Sequence, residues 1–180
     1  MRWSWPERVA VAVASLALAV VLIALLSGYF TGHDTGAVSG TQPVGLQFFD
    51  QGDAVLAPGQ PHPRYDSDPP TSGPHVSVAV SADDRRLSDN QILSALAAGD
   101  VVIVYGTPQP PPALVAVVDS LANPFSPPLA AAGLAVILAQ RPGTSGLTAL
   151  SWTRMVRVGG PSDPALSEFV REWLGHGAAS

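Results

Sequence analysis

The 180 residues carry nine arginines, no lysine, fourteen acids and no cysteine, for a net charge of −5. An acidic chain lacks the basic surface that neutralises phosphates, which argues against a nucleic-acid partner. Without lysine there is no Schiff-base or phosphate-loop lysine, and without cysteine no thiolate nucleophile, Cys zinc site or disulfide.

The chain opens with a short polar stretch, residues 1–8, containing Arg2 and Arg8. An apolar run follows over 9–30, through Val9, Leu16, Val20 and Leu26, and is long enough to cross a ~30 Å hydrocarbon layer as a helix. No basic residue follows it until Arg64, so the positive-inside bias keeps the N-terminus cytoplasmic and exports the rest. Trp3, Trp5, Tyr29 and Phe30 fall at the two interfaces, where aromatic rings anchor well. A cleaved signal peptide would have a shorter apolar region and a small-x-small site, which Ser27-Gly28-Tyr29 does not supply. A core helix would show a polar side. The expectation is a single-pass anchor in the cytoplasmic membrane, with the lipid bilayer as one partner.

Residues 31–45, "TGHDTGAVSGTQPVG", have no apolar face and read as a flexible tether in which His33 is simply solvated. Residues 46–180 then form the extracytoplasmic domain. Ser88-x-x-Gln91 is a capping-box pattern before "ILSALAA" and Gly99, predicting a short helix with Ile92, Leu93 and Leu96 inward. "VVIVY" at 101–105 reads as a strand buried on both faces. A proline-rich surface loop at 107–112 precedes a helix over 113–122, and "LAVILA" at 134–139 is a second buried strand. "RPGTSG" at 141–146 is a turn rather than a phosphate loop, and 147–158 has the length of one long strand. Last, Asp163 caps a helix with Pro164 first and an apolar stripe of Leu166, Phe169, Val170, Trp173 and Leu174, ended by Gly175. The fold class is α+β, a small mixed sheet with helices on it.

The stretch "DPPTSGPH" at 68–75 is stiff without being helix or strand: Pro69, Pro70 and Pro74 fix their own φ, and Gly73 alone is free to take a positive one. Thr71, Ser72 and His75 complete it. With "DQGDAVLAPG" at 50–59, "LSALAAGDVVIVY" at 93–105, "LTALSWTRMVRV" at 147–158 and "DPALSEFVREWLGHG" at 163–177, it resembles a bacterial membrane-anchored family of unknown function. That family carries QG-x-x-H-V, PPTSGPH and V-H-x-L-E-H-G stretches and a vViHY strand. The resemblance implies an H-x-x-E-H set on one helical face, a geometry suited to a divalent metal. Here those positions are Ser94, Ala97 and Ala98, the QG-x-x-H histidine falls at Val55, and the strand histidine is Val104. His75 thus stands as the survivor of an emptied ligand cluster.

A single imidazole does not hold zinc. A rebuilt site would need His62, Asp66, Asp68 and His75 brought together by the loop alone. Ser72 and His75 could be read as part of a hydrolase triad, but no G-x-S-x-G context exists, and a turn with the Ser72 hydroxyl on nearby backbone amides is the simpler reading. Asp83, Asp84, Asp89 and Asp100 lack calcium-loop spacing and read as a solvated charged face. Trp152 and Trp173 are expected in the core between the last strand and last helix, and His176 at a helix C-terminus, where a cationic ring suits the dipole. The sequence therefore predicts no catalytic residue and no cofactor. It predicts a non-enzymatic anchored protein serving as an accessory or stabilising subunit among other membrane proteins, and the alternative is a metal-dependent role through His75.

Overall fold

The computed structural model describes residues 43–179. The apolar segment at 9–30 and most of the tether lie outside the described residues; within them no helix is long and apolar enough to cross a membrane. In chain order the elements are β1 (Leu46–Gln47), α1 (Asp89–Ala98), β2 (Val101–Tyr105), α2 (Pro112–Leu121), α3 (Pro127–Ala131), β3 (Val136–Gln140), β4 (Leu147–Ser151), β5 (Arg154–Val158) and α4 (Pro164–Trp173). The strands make one mixed sheet in the order β1-β5-β4-β2-β3, in which only β2 and β3 run parallel. The class is α+β, as the alternation of short apolar runs predicts.

The sheet is buried on both sides because helices cover both. Val102, Val104, Ile137 and Leu150 face α1 and α3, which contribute Ile92, Leu93, Leu96 and Ala130. Val101, Ile103, Tyr105, Val136 and Leu138 face α2 and α4, with Leu114, Val118, Leu166 and Phe169. This is why "VVIVY" has no polar alternation: all five residues are buried. Burying each such side chain is worth about 1.5–3 kcal/mol.

Local signals set the helix ends. The Ser88 side chain accepts from Gln91 N while the Gln91 side chain accepts from Ser88 N, a complete capping box. Asp163 Oδ1 accepts from Ala165 N ahead of Pro164. The short helix α3, with Pro127 and Pro128 in its first turn, was not anticipated from sequence.

The expected long strand at 147–158 is instead the β4–β5 hairpin, with Leu147 paired to Val158 and Ser151 to Arg154. The chain reverses at Trp152-Thr153, where Thr153 sits at φ 58. No glycine or asparagine marks the turn; distant backbone holds it, Thr153 N donating to Thr71 O (3.0 Å) and Thr153 O accepting from Phe48 N (2.9 Å). Trp152 is also displaced from expectation: it packs with the α1 side of the core, while Trp173 lies on the α4 side. Residues 43–45, assigned by sequence to the tether, are tied down at Val44, whose N–H donates to Glu172 (3.0 Å) and whose carbonyl accepts from Trp173 Nε1 (2.8 Å).

The outer edge of β3 is covered by residues 83–85. Asp84 N donates to Leu138 O, Gln140 N to Arg85 O, and Leu138 N to Asp83 Oδ1 at 2.8 Å. Burial pushes the Asp83 carboxyl up to about 6, opposed by the Asp84 and Leu138 N–H groups that donate to it. The 141–146 turn crosses over the end of β2 to start β4, and a Cβ on Gly106 would lie 2.2 Å from Thr144 O. Gly106→Ala is therefore expected to cost about 1–3 kcal/mol in urea denaturation, since the obstacle is backbone that cannot rotate aside. The capping variant Ser88→Ala is expected to cost about 1 kcal/mol in the same assay.

Candidate functional site

The 68–75 segment is a buried junction. Thr71 and Ser72 are fully buried and His75 nearly so. The Thr71 hydroxyl pairs locally with Ser67 Oγ at 3.1 Å, whereas the Ser72 hydroxyl reaches groups far along the chain. Ser72 Oγ accepts from Gln51 N (3.1 Å) and donates to Phe49 O (3.0 Å), 21 and 23 residues away rather than to nearby amides. Thr71 O holds the hairpin turn, and Tyr65 Oη donates to Pro74 O (2.9 Å). Gly73, at φ +132, is forced as well as free: a Cβ there would lie 2.8 Å from the Tyr65 ring.

His75 is bonded through backbone on both sides, its N–H donating to Ala54 O (3.1 Å) and its carbonyl accepting from Leu56 N (2.8 Å), so Val55 lies directly beside it. Its Nδ1 is 2.9 Å from Gly73 O. A carbonyl only accepts, so Nδ1 carries a proton, and in the neutral ring the lone pair is on Nε2.

The structure does not gather the other candidate ligands around His75. His62 stacks on Tyr65 (centroids 4.6 Å) with Nδ1 at Pro63 O. Asp66 Oδ2 accepts from Phe49 N, and Asp68 pairs with Arg141, which also reaches Asp89. Among the described residues no three His, Asp or Glu side chains converge in a way that could hold a metal.

Of the three positions on α1, Ser94 and Ala98 share a groove while Ala97 turns to the C-terminal segment, its carbonyl accepting from Ala178 N (3.1 Å). The Ser94 hydroxyl accepts from Val78 N (3.0 Å) and holds the 76–78 backbone against the helix. Val104 is wholly buried in the core beneath α1. The groove, about 390 Å³, runs between α1, α3 and residues 77–81, and is mostly apolar: Val78, Val80, Ala95, Ala98 and Pro127 line it.

Asp100 also lines this groove and is only 1% exposed. It is not part of a solvated face, as its spacing from other acids suggested. Oδ1 accepts from Ala135 N (2.8 Å), fixing the start of β3, while Oδ2 is buried without a partner. Burial pushes the carboxyl up to about 7, against the pull of the Ala135 N–H. The signal available in sequence was an acid between a helix-ending glycine and an unbroken β-branched run, which leaves it little room to reach water.

The folded carboxyl therefore binds its proton more tightly than the unfolded one. Its contribution to stability is full below about pH 4 and is lost as pH rises through about 7. Asp100→Asn, which keeps an oxygen for Ala135 N–H, is expected to match the wild type near pH 4 and exceed it by on the order of 2–4 kcal/mol near pH 8. Thermal melts at the two pH values check this, and a wild type that gains stability with pH would contradict it.

No curated protein and no solved structure matches the chain. A family model, described as Protein of unknown function (DUF3105), matches residues 60–179, a span holding the 68–75 junction, both sides of the groove and the whole sheet except β1. The chain belongs to this family.

Proposed function

We propose that the protein is a single-pass, non-enzymatic membrane protein that presents its α+β domain outside the cytoplasmic membrane as an accessory or stabilising subunit of a larger membrane complex. The apolar run at 9–30 with Arg2 and Arg8 before it supports the anchoring and its direction. The observation that carries the contact role is the groove at Ser94 and Ala98. Where the family resemblance implies two imidazoles, this chain has a hydroxyl spent on backbone and a methyl group facing an apolar concavity. Ala98 and Val78 are exposed there, and small apolar surface of this kind is suited to covering by another protein.

The full-length chain, tagged and solubilised from membranes in mild detergent, is expected to migrate in a larger assembly. Ala98→Arg is expected to release it as a monomer with an unchanged melting temperature. A wild-type chain that runs alone under the same conditions contradicts the subunit role.

A second reading, metal binding through His75, is favoured by one observation: Nδ1–H on Gly73 O is the tautomer that leaves Nε2 for a ligand bond. Elemental analysis of the purified full-length chain separates the two. A stoichiometric zinc or copper ion lost in His75→Ala would replace the contact role with this one.

A further inference from the structure

We propose that the pocket at the start of the 68–75 segment, between β5 and the 141–146 turn, is a binding site for a phosphate group, held by Arg157, Thr148 and Arg141. The pocket, about 370 Å³, is walled by Asp68 and Pro69, by the turn from Arg141 to Ser145, and by Thr148 and Arg157 of the sheet. Thr148 and Arg157 are register partners across β4 and β5, so their side chains leave one face of the sheet side by side, about 5 Å apart at Cβ. Leu150 and Met155, two positions along each strand, place that face on the α1 side. Two guanidinium groups meet there at one residue. Arg141 Nη2 donates to Asp68 Oδ1 (2.5 Å), and Arg157 Nη2 donates to the Asp68 carbonyl (3.0 Å). Arg141 also spends Nη1 on Asp89 (3.2 Å). Arg157 makes no ion pair among the described residues, and the Asp68 carbonyl is the one group its guanidinium bonds there. Most of its five N–H donors are therefore unspent.

Thr148 supplies the second, independent sign. It is 3% exposed, and its hydroxyl bonds to nothing among the described residues. Yet it is not among the orphaned side-chain atoms closed off from solvent, so the hydroxyl opens on the pocket it lines. The turn adds a further donor: the Ser145 hydroxyl is free, while Thr144 Oγ1 donates to Arg141 O (2.8 Å) and fixes the turn's shape. Asp68 is the one acid of the lining, with its side chain 82% exposed. An ion pair so open to water is weak. The Asp68 carboxylate is an internal stand-in: a phosphate oxygen takes its place on Arg141 while others meet Arg157 and Thr148. Donors from the two strands and the turn suit a tetrahedral group with several oxygens better than a planar carboxylate with two.

The volume lies within the range of small-molecule sites, roughly 300–1,000 Å³, and leaves room beside the phosphate for a small organic body. The group could come as the free anion or as a small phosphate monoester. Neither source depends on the anchored reading.

The test uses full-length chain in a neutral detergent, ¹⁵N-labelled at arginine, the Nε–H resonances of Arg141 and Arg157 being assigned with Arg141→Gln and Arg157→Gln. Inorganic phosphate, glycerol 1-phosphate and acetate are titrated in turn at constant ionic strength. Both resonances are expected to move saturably with inorganic phosphate, at a half-saturation of about 1 mM or below. Arg157→Gln, followed through Arg141, is expected to weaken binding at least tenfold, and Thr148→Val several-fold. Asp68→Asn removes the competing carboxylate and is expected to tighten binding about fivefold, the opposite of what a purely structural ion pair would give. Ester binding tenfold tighter than inorganic phosphate identifies an organic phosphate as the ligand; equal or weaker ester binding identifies the free anion. The proposal is overturned if neither resonance moves up to about 10 mM phosphate or if acetate binds as tightly as phosphate. It is equally overturned if, at an unchanged melting temperature, Arg157→Gln binds as well as the wild type or Asp68→Asn binds no better.

Discussion

The fold depends on a buried polar knot: Thr71 and Ser72, fully enclosed, with the Ser72 hydroxyl and the Thr71 carbonyl bonded to backbone far along the chain. Burying a hydroxyl is costly unless it is paired, so a serine in this position dictates where residues 49 and 51 must pass. Thr71 does the same for the hairpin, because Thr153 at a positive φ is stable only while its amide is held. Prolines on either side keep the segment from relaxing into another shape. A loop with no regular structure thereby positions two distant parts of the chain.

Seen from that knot, the two sides of the sheet have different tasks. The α2 and α4 side is filled by large apolar side chains and closed by Leu166, Phe169 and Val170. The α1 and α3 side is built with small residues at its margin, and a concavity remains where Ser94 and Ala98 stand. At the edge of that concavity sits a buried carboxyl, matched on one oxygen and orphaned on the other.

Much of this was legible in the sequence, and the reason is locality. The capping box at Ser88, the Asp163-Pro164 start and the double-sided burial of "VVIVY" are decided by residues within one or two turns of each other. The misreadings concern residues whose state is set from afar. Thr153 turns the chain because of Thr71, 82 positions earlier in the sequence. Asp100 is buried because Ala135 needs an acceptor. Trp152 points to the α1 side only because the hairpin reverses just there, a register that no composition rule reports. The positions named for the site by resemblance were traceable one by one, yet that Ala97 would part company with Ser94 and Ala98 required the C-terminal segment to be seen in place.

Both borders of the sheet are blunted. On one side β1 contributes two residues; on the other, 83–85 occupies the free hydrogen-bonding groups of β3. Exposed borders are where one molecule templates the next, strand against strand. Where 83–85 lies along β3, the groups a neighbouring strand would need are already engaged, so that border does not extend the sheet from one molecule to the next.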